Sequence, residues 1–147
     1  TLEWLGEAGV AAAATESRGA VHVSVAEYTY CPGAHFSPEV MLDSLRDFGR
    51  ESDAAGYDGA RVSGEMSWAL RDIPGSERLL EYEAKLNYVL PECEITGMCQ
   101  YDANRWDGAT ILNVLRVHPF MVVRGTVLEN PCYMMPEEYL REHDGRR

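Results

Sequence analysis

Three observations make the sequence predict an α/β fold with a mostly parallel sheet. Short strand-like runs alternate with helix-length segments, as they do in parallel sheets with right-handed crossovers. The helix-length segments carry their own start and stop signals, and their apolar residues recur at helical spacing. Near the C-terminus the alternation gives way to "FMVVRGTVLEN", which reads as a hairpin turning at Arg124 and Gly125.

Each element follows from its residues. Thr1 leads straight into "LEWLGEAGV", which looks like the tail of a helix, so an upstream piece is expected to be missing. "AVHVSV", Ala20 to Val25, is a β-branched run expected to be a strand, and the turn-rich "EYTYCPGAHF" a loop of functional length. Ser37 caps the next helix with Pro38 at its first position, and Met41, Leu45, Phe48 and Ala55 keep helical spacing until Gly56. "GARVSG" is the second strand, and "WALRDIPG" leaves it through a turn at Pro74 and Gly75.

Ser76 is placed to cap "ERLLEYEAKLNYVL". Leu79, Tyr82, Leu86, Val89 and Leu90 form one apolar stripe with Glu83 inside it and Asn87 at its edge, while Glu81 and Lys85 pair on the opposite, solvated side. "EITGMCQYD" is apolar on both faces, as a central parallel strand would be. Asp107 caps a helix through Ile111, Leu112, Val114 and Leu115 that Pro119 ends, and "PEEYLREHD" is a short terminal helix.

At 147 residues and 46% hydrophobic content, the chain is expected to form a single domain over residues 1–147. Its formal charge of -11 opposes phosphate backbones, so no direct nucleic-acid partner is expected. No run approaches a membrane span and no signal peptide is legible, so no membrane partner and a cytoplasmic location are expected. The four cysteines form no C-x-x-C pair, and free thiols are the expectation. In "CPGAH", Cys31 and His35 offer two metal ligands, but zinc needs two more from elsewhere, and a turn at Pro32 and Gly33 explains the motif as well.

In open α/β sheets ligands bind beyond the carboxyl ends of strands, where loops present polar groups without disturbing the core. Glu65 leaves such an end, as do Glu27 and Tyr28 after "AVHVSV" and Tyr101 and Asp102 after "EITGMCQ". With Trp68 as an apolar wall, Tyr28, Glu65, Trp68, Tyr101 and Asp102 make the candidate ligand site. The plainer alternative has Glu65 capping nearby amides and Trp68 packing in the core.

"RVSGEMSWAL", "LLEYEAKLN", "CQYD", "HPF" and "NPCYMMPEEYL", in that order, resemble the MEDS family, the sensory domain named for methanogens, methylotrophs and a dichloromethane-responsive regulator. The resemblance runs from about Leu2 to Leu140. It implies a three-layer, RecA/KaiC-like fold, its amino-terminal part missing here, with a C-terminal hairpin and short helix. It also implies a non-enzymatic module that senses a small hydrocarbon-derived molecule. Effectors of such domains include DNA-binding regulators, histidine-kinase-like ATPases and anti-sigma systems, and a homodimer is among the expected assemblies.

No cofactor or catalytic residue is expected. A P-loop needs a lysine among glycines, and the one lysine, Lys85, lies on a helix. A residual nucleotide-binding or ATPase-like domain and a protein-interaction scaffold remain the alternatives. His118 reads as structural, at the sheet edge opposite Glu65. Asn130 and Pro131 read as a turn, with Tyr133, Met134 and Met135 as packing or interface residues. Glu83 must be satisfied if it faces the core, and Arg61 of the strand "GARVSG" is its expected partner in a buried polar pair.

Overall fold

The computed structural model describes residues 2–7, 9 and 11–144, without the side chains of Leu2, Trp4, Leu5, Ala12, Ala13, Ala14 and Asp144. Two short helices come first, α1 (Leu2–Glu7) and α2 (Ala12–Ser17). Thr1, Ala8 and Val10 of the expected helix tail lie outside the described residues.

The strand expected over Ala20 to Val25 does not form. The segment has no regular structure, is exposed apart from Val21, and joins no ladder. β-branched residues favour a strand only where a neighbour and a core face receive them. Ala26 starts helix α3 (Ala26–Tyr30), so the expected loop is a helix followed by a 3-10 turn at Pro32–Ala34, where Gly33 takes φ 71°.

Helix α4 (Pro38–Ala54) begins as its sequence predicts: Ser37 Oγ accepts from the Val40 amide and Pro38 fills the first turn. It buries Met41, Leu42, Leu45 and Gly49, whereas Phe48 and Ala55 are exposed. The face shifts because the helix meets the end of the next one closely: a Cβ on Gly49 would lie 2.8 Å from that of Cys93.

Strands β1 (Ala60–Glu65) and β2 (Ile95–Gln100) pair in parallel, from Ala60 opposite Ile95 to Glu65 opposite Gln100. The crossover that such a pair requires runs through 3-10 turns at Ser67–Arg71 and Ser76–Arg78 and helix α5 (Leu79–Glu92). Ser76 does not cap α5. Gly75, at φ 89°, turns the chain into the 3-10 turn instead, and Arg78 occupies the cap position.

The α/β order stands, but the sheet is smaller than expected. Among the described residues β2 has one neighbour, so it is not a central strand. β1 alternates Ala60, Val62 and Gly64, half-buried, with exposed Arg61, Ser63 and Glu65. In β2, Ile95 and Cys99 are covered while Thr96, Met98 and Gln100 are exposed. Helix α5 packs on β2 and α4 packs on α5, leaving the mostly polar second face open.

Asp107 caps α6 (Gly108–Val117) by accepting from the Ala109 and Thr110 amides. Strands β3 (Phe120–Val123) and β4 (Thr126–Glu129) form the expected hairpin, with Arg124 and Gly125 at φ 51° and 79° as a tight primed turn requires. Buried Asn130 closes it, donating to the Leu115 and His118 carbonyls and accepting from the Cys132 amide. Helix α7 (Pro136–Asp144) follows.

Two apolar clusters result. The larger gathers Phe36, Met41, Leu45, Met66, Trp68, Leu79, Tyr82 and Ile95 between α4, β1, α5 and β2. The smaller joins Ala84, Val117 and Tyr139 of α5, α6 and α7. Among the described residues, no helix is long and apolar enough to cross a membrane.

Candidate functional site

The apolar stripe of α5 carries Glu83 into the interior, where it is 1% exposed. Its carboxylate is fully engaged. The Tyr101 hydroxyl donates to Oε1 at 2.6 Å, the Cys99 thiol donates to Oε2 at 3.1 Å, and His118 Nε2 lies 3.4 Å from Oε2. Cys99 ends the covered face of β2, and Tyr101, two residues on, follows it towards the same side. His118 is the residue that ends α6, and its Nδ1 lies 2.7 Å from the Val114 carbonyl. A carbonyl only accepts, so Nδ1 carries a proton and Nε2 is the nitrogen presented to Glu83.

The surroundings tune these groups. Burial pulls the His118 pKa down, but the Glu83 hydrogen bond and charge, with the Val114 carbonyl, outweigh it and leave a net rise. Burial, then the charge of Glu83, pushes the Cys99 thiol and Tyr101 phenol well up, so both keep their protons and act as donors. Tyr30 is raised too, by burial first and then by Cys99 and Glu83.

Arg61 is not the partner of Glu83. It lies on the exposed face of β1, whereas Ala60 and Val62 turn to the opposite face and pack against the larger core, and no ion pair or hydrogen bond joins Arg61 to Glu83 among the described residues. Glu81 and Lys85 do pair, at 2.7 Å, yet they are not simply solvated. Arg78 grips Glu81 at 2.7 Å and Glu39 of α4 at 2.5 Å, clasping α4 to the start of α5.

Glu65, Tyr101 and Asp102 leave the same edge of the parallel pair, as the register of Glu65 with Gln100 requires. Their roles differ. Glu65 is exposed and accepts from the Ser67 amide at 2.9 Å and its hydroxyl at 2.6 Å, closing the turn after β1. Asp102 is exposed and accepts from Asn104. Tyr28 is 79% exposed on α3, which the Arg71–Glu27 ion pair ties to the turn after β1. Trp68 is 1% exposed and stacks on Tyr30 at 5.0 Å, so its ring is part of the core and not a free wall.

An open cleft of about 210 Å³ lies beside this edge, lined by Ala69, Leu79, Leu80, Trp106 and Thr110 among others. The Trp106 ring meets Tyr101 edge-on at 5.3 Å, and its buried Nε1 has no acceptor among the described residues. Tyr101 therefore stands between the lining of the cleft and Glu83.

Sequence reading alone misses Cys99, Tyr30 and Trp106, and it puts His118 at the wrong edge. The C-x-Y spacing of "CQY" does place two donors on one side of a strand end, a usable signal. His118 has no local counterpart, because its approach depends on how α6 folds back. Cys31 is buried and His35 exposed, and the convergent ligand-bearing set among the described residues is Glu83, Cys99 and His118.

Comparison with known proteins adds the lineage. The family model named MEDS, for methanogen/methylotroph, DcmR sensory domain, matches residues 1–119, ending before β3. The transcriptional repressor DcmR of Methylorubrum extorquens is 32% identical over 79 residues, 53% of this chain. That match spans 30% of the repressor's own length. No solved structure matches the chain.

Proposed function

The chain belongs to the MEDS family of sensory domains, and from that premise we propose that it is a non-enzymatic ligand-sensing domain of a bacterial signal-transduction or transcription-regulatory system. It binds a small, hydrocarbon-derived molecule and passes occupancy to an effector domain or partner. The repressor name of its relative supports a regulatory setting. The observation that carries the reading is the link from the cleft through Trp106 and Tyr101 to buried Glu83.

A cleft of about 210 Å³ is below the roughly 300–1,000 Å³ of pockets for drug-sized ligands and suits a molecule of a few heavy atoms. Ala69, Leu79 and Leu80 supply apolar contact, and the ring of Trp106 forms part of the wall. Tyr28, Glu65 and Asp102 are exposed enough to meet a ligand arriving at the strand ends, and Trp68 contributes through the core, stacked on Tyr30. Occupancy would act on the Tyr101–Glu83 bond, and Glu83 lies on the helix shared by both apolar clusters. Lys85, held by Glu81 and Glu39, is committed to an ion-pair network and not to a phosphate.

The test is native mass spectrometry of protein taken directly from cells, followed by titration of the retained molecule into Tyr101→Phe and Trp106→Ala variants. A small apolar adduct whose binding both changes weaken is expected. Tight magnesium-dependent ATP binding with no adduct would overturn the proposal in favour of a nucleotide-binding domain.

A further inference from the structure

We propose that Glu83, Cys99 and His118 form a binding site for a divalent transition metal ion of the zinc class, with a position left open for an incoming donor. The proposal stands on donor geometry and is independent of which small molecule the domain senses.

Three different ligand atoms from three elements converge: Glu83 Oε of α5, Cys99 Sγ of β2 and a His118 ring nitrogen at the end of α6, all within 4.8 Å of one another. The two contacts to Oε2, at 3.1 and 3.4 Å, approximate the edges of a tetrahedron around zinc. Ligand distances of about 2.0–2.3 Å imply edges of about 3.3–3.5 Å. Seating an ion therefore needs the thiol and the imidazole, now within 4.8 Å of each other, to stand at about 3.5 Å.

The outer partners already match a metal site. The Nδ1–H of His118 is held by the Val114 carbonyl, which orients Nε2 inwards as metal-bound histidines are oriented. Tyr101 occupies the other carboxylate oxygen, leaving Oε2 as the common point of thiol and imidazole. The Glu83 side chain is fully covered, but that of His118 is 24% exposed and gives a way in.

Charge balances as well. With M²⁺ bound, a carboxylate, a thiolate and a neutral imidazole sum to zero. Binding replaces the thiol proton of Cys99 with the ion, so a proton leaves and the bound site buries no net charge. Thiolate and imidazole donors favour zinc over magnesium or calcium. Three protein ligands leave a fourth position for water or an exogenous donor.

The experiment uses the full chain stripped with chelator. Zn²⁺ titrated by calorimetry in buffers of different ionisation enthalpy should bind one per chain with release of at least the Cys99 thiol proton. Co²⁺ should give a thiolate-to-cobalt charge-transfer band and tetrahedral visible absorption. Cys99→Ser and His118→Gln should each weaken Zn²⁺ binding more than about 100-fold, beyond the roughly 10–100-fold expected of the outer-partner change Tyr101→Phe. Cys132→Ser, at an exposed thiol, should change nothing. The proposal fails if wild-type protein shows no thiolate–cobalt band, or if the band survives Cys99→Ser or is lost in Cys132→Ser. Circular dichroism identifies a variant that has not folded, and the wild-type spectrum decides without any variant.

Discussion

Single residues in this chain are constrained by what surrounds them more than by their own type. Glu83 is the clearest case, since a hydroxyl, a thiol and an imidazole converge on its carboxylate and water does not reach it. Glu83→Ala leaves a tyrosine hydroxyl, a thiol and a histidine facing a gap, and should cost about 3 kcal/mol or more. Glu51→Ala on the exposed side of α4 should stay within about 0.5 kcal/mol. Urea denaturation compares the two, and equal midpoints would mean that the buried acid is structurally idle. Gly64 is constrained by a neighbour: a Cβ there would run into the Tyr30 hydroxyl. Tyr30 cannot retreat, being stacked on Trp68 and edge-on to Tyr82. Gly64→Ala should cost about 1–3 kcal/mol, and Tyr30→Phe should recover part of it by removing the oxygen in the way. A double-mutant cycle with no coupling would refute that account.

At the scale of elements, the contact of α4 with α5 rests on the Glu39, Arg78, Glu81 and Lys85 network as well as on apolar packing. The Arg78 hydrogen bonds, with the Glu39 backbone amide and Ser37, hold the Glu39 carboxyl at about 2, below its ordinary 4.5. A folded pKa below the unfolded one stabilises the native state above about 4.5, and this contribution is lost as pH falls towards 2. Glu39 is largely exposed, so solvent screening keeps the effect modest. Arg78→Ala should flatten the acid limb of the stability profile between these pH values and leave the slope near neutrality unchanged. An identical acid limb, followed by thermal melts across pH, would remove the clasp from the account.

Across the whole molecule, α5 is the shared wall of two cores, and the smaller one depends on Tyr139, which is 2% exposed on α7. Tyr139→Ala should cost about 3–5 kcal/mol locally. Hydrogen exchange should accelerate in α7 and the end of α6 well before β1 and β2, because separate packing units open separately. Uniform acceleration throughout would instead show the two cores to be one cooperative unit. The hairpin and α7 lie beyond residues 1–119, so the smaller core joins family-matched helices to a segment outside the match.

Much of this was legible in the sequence because the signals were local. Ser37 with Pro38, Asp107, and Arg124 with Gly125 act within a turn of chain, and each does in the structure what its type predicts. The α5 stripe, with Glu83 inside it, was readable for the same reason: helical spacing needs no knowledge of the partner. "AVHVSV" shows the limit, since a strand exists only when another strand supplies its hydrogen bonds, and composition cannot say whether one does. The alternation in "ARVSGE" did carry the one-sided burial of β1, and it also put Arg61 on the exposed face. Only the tertiary structure decided what meets Glu83. Cys99, Tyr101 and His118 lie 16, 18 and 35 positions away, and their approach is set by the parallel register and by the path of α6, which no local preference encodes.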